Sequence, residues 1–136
     1  MSHNQAVIFE LSGVRYGIDI LQVQEIIRLV EITPVSEADV AVEGIINLRG
    51  QVISVVNLSR KLELPENEKN NDTRIIVVES KKKKIGLVVD RVLQVGTYTD
   101  EEMEEPSSIS SGVADFKGII KKTNELWLLL NLEEVV

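Results

Sequence analysis

The residues that could carry chemistry are few and far apart in the chain. Asp19 and Asp90 occupy matching regions of two similar apolar stretches, though not equivalent positions, and two such carboxylates could form an acid-base couple. Nothing in the sequence draws them together or supplies a donor for an oxyanion, so each reads as a polar residue near a strand end. Glu101, Glu102, Glu104 and Glu105 could offer oxygens to a cation, but calcium loops space their ligands regularly and this run does not. The single histidine, His3, lies beside the start methionine without a partner for base catalysis or metal ligation. The chain has no cysteine, which removes thiolate nucleophiles, disulfides and cysteine metal sites. It also lacks a glycine-rich phosphate loop, a His-Glu-x-x-His and a Gly-x-Ser-x-Gly motif. No enzyme activity, cofactor or metal is expected.

What remains is surface. Arg49 stands beside Gly50 in a turn between apolar runs, where a guanidinium makes an ionic anchor. Val23, Ile26, Ile27, Val88, Val89 and Val92 supply more apolar side chains than one small lobe needs for its core. The run Lys81-Lys82-Lys83-Lys84 reads as a solvated hairpin tip. Net charge is −7 and aromatics make up 4%, a poor match to a nucleic-acid phosphate backbone or to base stacking. No apolar stretch reaches the roughly 20 residues that span a bilayer, and Met1 to Gln5 do not begin a signal peptide. A cytoplasmic protein without direct membrane insertion is expected, and the missing cysteine agrees with that compartment.

The elements that must position these residues are short strands. Hydrophobic residues make up 43% of the 136, enough for a packed core. Residues 43 to 58, EGIINLRGQVISVVNL, align with residues 117 to 132, KGIIKKTNELWLLLNL, at an offset of 74. Gly44, Ile45, Ile46, Asn57 and Leu58 thereby match Gly118, Ile119, Ile120, Asn131 and Leu132. Residues 7 to 26 align with 76 to 95 at an offset of 69, matching Glu10, Gly17 and Val23 to Glu79, Gly86 and Val92. Two similar lobes are expected. Apolar runs around Ser12-Gly13, Arg49-Gly50 and Lys81 to Lys84 predict hairpins, with Gly50 supplying positive φ. Val23 to Ile32 fits strand or helix by periodicity, and its β-branched content favours strand. Residues 63 to 73 read as the link between lobes, and 100 to 115 as a polar excursion that could open with a helical turn. Short strands joined by turns imply small antiparallel barrels or a sandwich.

The segments GIDILQVQEI at 17 to 26, GIINLRGQVISVVNL at 44 to 58, GLVVDRVLQV at 86 to 95 and KGIIKKTNELWLLLNLEEVV at 117 to 136 resemble the CheW-like domain, over about residues 5 to 136. The resemblance implies a mainly β fold of two SH3-like five-stranded barrels on a shared hydrophobic boundary, with short helical segments. Approximate lobes are 14 to 66 and 73 to 136, the N-terminal strand crossing between them. It implies a non-catalytic chemotaxis adaptor, cytoplasmic and recruited to membrane-associated arrays. Its partners would be the regulatory domain of the histidine kinase CheA and the cytoplasmic tip of methyl-accepting chemoreceptors. Carried over by motif position, Val23, Glu25, Arg49, Val88 and Val89 are expected to face the receptor or array, with Val88-Val89-Asp90 lining a groove. Gly44 and Ile45 are expected to affect kinase coupling. The alternatives are a scaffold for a different two-component pathway and, in another class, a ligand-binding barrel.

Overall fold

Two-residue turns decide where the ribbons begin. In the computed structural model, which describes residues 3–36, 39–105 and 115–135, three hairpins turn on two residues that all have positive φ. Ser12-Gly13 joins β1 (His3–Leu11) to β2 (Val14–Asp19). Arg49-Gly50 joins β4 (Val42–Leu48) to β5 (Gln51–Asn57). Lys81-Lys82 joins β6 (Arg74–Ser80) to β7 (Lys83–Val89). Left-handed pairs match the twist of the flanking strands, which is why such turns close hairpins. The lysine turn is therefore tighter than the four-residue run read from sequence, and Lys83 and Lys84 belong to β7. Between the first two ribbons comes β3 (Val23–Arg28), and after the third come β8 (Arg91–Thr99), β9 (Met103–Glu104), β10 (Phe116–Lys121) and β11 (Leu126–Leu130). Short helices α1 (Leu58–Lys61) and α2 (Leu132–Val135) follow β5 and β11.

The strands form two sheets, ordered β3-β6-β7-β5-β4 and β8-β1-β2-β11-β10-β9, here called the first and second lobes. The sheets do not follow the division 14–66 and 73–136. Each lobe borrows its first hairpin from the other half of the chain: β1-β2 completes the second lobe, and β6-β7 completes the first. The polar segment 63–73 thus joins α1 to β6 within one lobe. The reason is physical. The two hairpins share one apolar pattern, so the sequence repeat gives their order but not which sheet each enters. The two offsets reproduce the pairing itself. Ile8 faces Gly17 as Val77 faces Gly86, and Ile45 faces Ser54 as Ile119 faces Leu128. Even the irregularities repeat, with register shifts at Val42/Gly44 and Phe116/Gly118.

Each lobe closes on itself through the chain that leaves its edge strand. After β3 the backbone bends, and Thr33 exchanges two 2.9 Å hydrogen bonds with Ile45 on the opposite edge. After β8 a 3-10 turn at Asp100–Glu102 leads into β9, which pairs Glu104 with Ile119. Both returns meet matching residues of the repeat, Ile45 and Ile119, and give the small barrel expected, but mixed rather than wholly antiparallel, since β5 pairs with β7 and β2 with β11 in parallel. A glycine makes each return possible. A Cβ on Gly44 would lie 2.1 Å from the Thr33 carbonyl oxygen, and one on Gly118 would lie 2.6 Å from that of Glu104.

The two-residue period divides β1 and β6 between two cores. Val7, Phe9 and Leu11, with Ile76 and Val78, enter a shared cluster with Tyr16, Ile18, Leu87, Val89, Leu130 and Leu132. The alternate residues turn inward to a lobe's own interior. Ala6 and Ile8 join Tyr98, Ile120 and Trp127, while Ile75 and Val77 join Ile46, Ile53, Val55 and Val88.

Two outcomes follow for stability. Gly44→Ala should destabilise the fold by about 2–3 kcal/mol, since a backbone carbonyl occupies the space the methyl needs; urea denaturation measures it. Replacing Lys81-Lys82 by Asn-Gly should stabilise by about 1 kcal/mol, because both lysines hold a left-handed conformation that costs side chains more than glycine. An unchanged denaturation midpoint for that double variant would contradict the account of the turn.

Candidate functional site

One end of the first lobe gathers the charged groups that the sequence singled out. The turn between β4 and β5 is held by Asn47, whose Oδ1 accepts from the Gly50 backbone N–H at 2.9 Å. That turn aims Arg49 across the barrel mouth, where its Nη2 donates to Glu25 on β3. Glu25 shares a β3 face with Ile27, which packs on the first-lobe interior, so the ion pair lies over the end of that core. The Arg49 guanidinium holds the Glu25 carboxyl below its ordinary value, and Glu25 raises Arg49 in return. The Arg49 side chain stays 69% exposed, so it can meet a partner while paired. Around it stand Gln24, which donates to Glu79 at 3.2 Å, and Lys84, which donates to Gln51 at 3.4 Å. Val52, 69% exposed, adds an apolar side chain to the same end.

The remaining expected site residues are placed differently. Val23 is half-buried against the shared cluster. Gly44 is buried at the bulge that admits the Thr33 backbone, and Ile45 is partly buried in the strand pair that closes the barrel. Val88 and Val89 do not line a groove. They are 6% and 1% exposed and enter two different cores, because successive residues of β7 point to opposite faces and both faces are covered. Sequence alone had no way to tell a doubly covered strand from a groove wall. The apolar residues that do reach the surface here are Ile26 and Val95, 39% and 50% exposed. They are related by the offset of 69 on the edge-side strands β3 and β8, so the repeat, applied to Ile26, could also have found Val95.

The candidate acids have structural roles. Asp19 Oδ1 accepts from the Leu21 N–H at 2.9 Å and caps the 3-10 turn at Ile20–Gln22. Asp90 accepts from the Ser12 backbone N–H at 2.9 Å and from Asn67 at 2.8 Å, tying two loops together. Glu102 accepts from the Thr99 N–H and from Lys122, which together lower its pKa, and Glu104 pairs with Lys121 at 2.7 Å. Among the described residues no group of three acids or histidines is arranged to hold a metal. Most of the polar excursion at 100 to 115 lies outside the described residues.

Sequence reading missed one polar cluster. Glu43 is the extra residue of the β4 bulge, and its nearly buried carboxylate accepts from Asn57 and Lys69, both at 2.8 Å. Asn57 also caps α1 by accepting from the Arg60 N–H at 3.0 Å. Arg60 pairs with Glu66 at 3.0 Å and lowers its pKa. The match of Asn57 to Asn131 was the available signal. Beside this cluster lies an open cleft of about 420 Å³, walled by Leu29, Val30, Ile32, Pro34 and Val42. Its charged groups, Glu43, Arg60 and Lys69, are all engaged in ion pairs, which suits holding the loop at 62–72 rather than moving a proton.

Comparison with known proteins agrees with this architecture. The sequence pattern of the CheW-like domain matches residues 5–136. A chemotaxis protein CheW of Thermotoga maritima is 30% identical over 132 residues, covering 97% of this chain and 87% of that protein. One from Treponema pallidum is 27% identical over 137 residues, covering 96% and 81%. The crystal structure of the scaffolding protein TtCheW from Thermoanaerobacter tengcongensis superposes with a TM-score of 0.90 at 34% identity, covering 96% of this chain and 90% of that one.

The ion pair makes a titration testable. Because Glu25 titrates lower in the folded chain, its contribution is full above the unfolded carboxyl's pKa and fades as pH falls through the folded one. In Arg49→Gln, carboxyl-detected NMR should show Glu25 moving up toward an ordinary value. No movement would mean that Arg49 does not set it.

Proposed function

Because this chain belongs to the CheW-like domain family, we propose that it is a non-catalytic adaptor of bacterial chemotaxis, coupling transmembrane chemoreceptors to the histidine kinase CheA. The observation that carries this reading is the agreement over nearly the whole chain with the scaffolding protein TtCheW, in sequence and in fold. Among the described residues no helix is long and apolar enough to cross a membrane. On this reading the protein works in the cytoplasm and is held at the membrane through its partners.

An adaptor transmits a signal only if it binds the two states of its partners unequally. Two lobes that share one core and trade hairpins resist independent movement, so partners docked on them are held in register. The Arg49–Glu25 end supplies orientation, through a guanidinium that remains accessible, and Val23 braces the strand beneath it. Gly44 and Ile45 act indirectly. They lie under the returning strand rather than at the surface, so changes there alter kinase coupling by deforming the barrel that carries the docking end.

The direct test is Arg49→Glu, which places a second carboxylate beside Glu25 at an exposed site and should leave the fold intact. Ternary assembly with the CheA regulatory domain and a receptor cytoplasmic fragment should weaken about tenfold, a common cost for losing an interface arginine. Sedimentation of the three components, with kinase activity read in parallel, checks it. Full kinase activation by the variant would remove Arg49 from the docking surface.

A further inference from the structure

Glu43, the extra residue of the β4 bulge, lines the cleft of about 420 Å³ in the first lobe, and its side chain is only 8% exposed. Three donors reach its carboxylate, and all three reach the same oxygen. Asn57 Nδ2 and Lys69 Nζ lie 2.8 Å from Oε1, and Arg60 Nη2 lies 3.7 Å from it. Among the described residues Oε2 accepts no hydrogen bond. Arg60 does not serve it, because its fork is spent on both oxygens of Glu66 and on the Val40 carbonyl. A carboxylate oxygen withdrawn from water without a donor is costly, and each carboxylate oxygen can accept. The cleft beside it is walled by Leu29, Val30, Ile32, Pro34 and Val42. Leu29 and Ile32 pack on the first-lobe interior and Val42 on the shared cluster, so these walls are fixed from behind. The cleft is built from the first lobe alone, at the opposite end of β4 from Arg49.

We propose that this cleft binds a small neutral organic molecule with an apolar body and one hydroxyl, which donates to Glu43 Oε2. The volume is in the range of clefts that take small ligands, and apolar walls with one placed polar atom are their usual lining. Charge decides against an ionic ligand. Glu43 and Glu66 are already balanced by Lys69 and Arg60, so a further cation would sit uncompensated against apolar walls. An anion would meet the Glu43 carboxylate, and a polyol would set its other hydroxyls against side chains that offer them no partner. The inference goes beyond the adaptor reading and does not depend on it.

Titration of the full isotope-labelled chain with hexanol, followed by NMR, tests it. Backbone amides of Leu29, Ile32, Val42 and Glu43 should shift together along one binding curve. Methyl pentyl ether, an isomer of hexanol without a donor, should bind about tenfold more weakly, as expected for losing a hydrogen bond to a charged group. Glu43→Gln should narrow that gap, because a neutral amide is the weaker acceptor. Ile32→Ala, in the apolar wall, should weaken both probes alike. If Glu43→Gln fails to fold, the two probes on the unaltered chain still decide. Equal affinity for alcohol and ether would overturn the proposal, as would a lack of shifts at the cleft or shifts centred on the exposed Ile26 and Val95. Tighter binding of hexylammonium than of hexanol would overturn the assignment of a neutral ligand.

Discussion

The structure depends on two hairpins being exchanged between the halves of one chain. β1 and β6 each present one face to a lobe interior and the other to the boundary between lobes. Neither lobe has a complete sheet without a hairpin from the other half. About 60 residues would bury too little apolar surface to be secure alone. Sharing one core lets both lobes count the same buried side chains, among them Phe9, Leu11, Ile76 and Leu130. The lobes therefore fold as one unit, and their mutual orientation is held by the shared core.

Barrel closure is the second constraint, and it explains why glycine recurs at the start of each repeat segment. Residues at a bulge must let a backbone from the far edge approach closely. Gly44 and Gly118 do this at the same point of each lobe. The extra residue of the first bulge, Glu43, gains a second task by anchoring Asn57 and Lys69. Its counterpart in the repeat is Lys117, which cannot accept those bonds, so the lobes diverge in the loops they hold. Similar frames with different attachments suit a protein that must present unlike surfaces to unlike partners.

Charge is distributed in keeping with that use. Most acids near the barrel ends are paired with lysine or arginine or spent on caps, as with Asp19, Asp39, Glu66 and Glu102. Accessible basic groups stand among exposed acids such as Glu31, Glu63 and Glu68; they include Arg49 at one barrel mouth and the lysine hairpin beside it. Exposed pairs of this kind contribute little to stability but control approach and register. The apolar side chains that share this surface, Ile26, Val52 and Val95, supply area that charge alone does not.

The sequence by itself determined most of the strands, the places of the hairpins and the existence of two related units, because a period of two and turn-forming residues are local properties; β9 and the two-residue lysine turn were not legible in it. It also identified Arg49 and Glu25 separately as site residues. Only the tertiary structure decided that these two meet, since β3 and the β4–β5 turn lie apart in the chain. It alone decided which hairpin entered which sheet, because near-identical apolar patterns pair equally well with either neighbour. That exchange buried Val88 and Val89 on both faces of β7. Local periodicity specifies which side of a strand a residue faces; what covers that side is set by packing against residues distant in sequence.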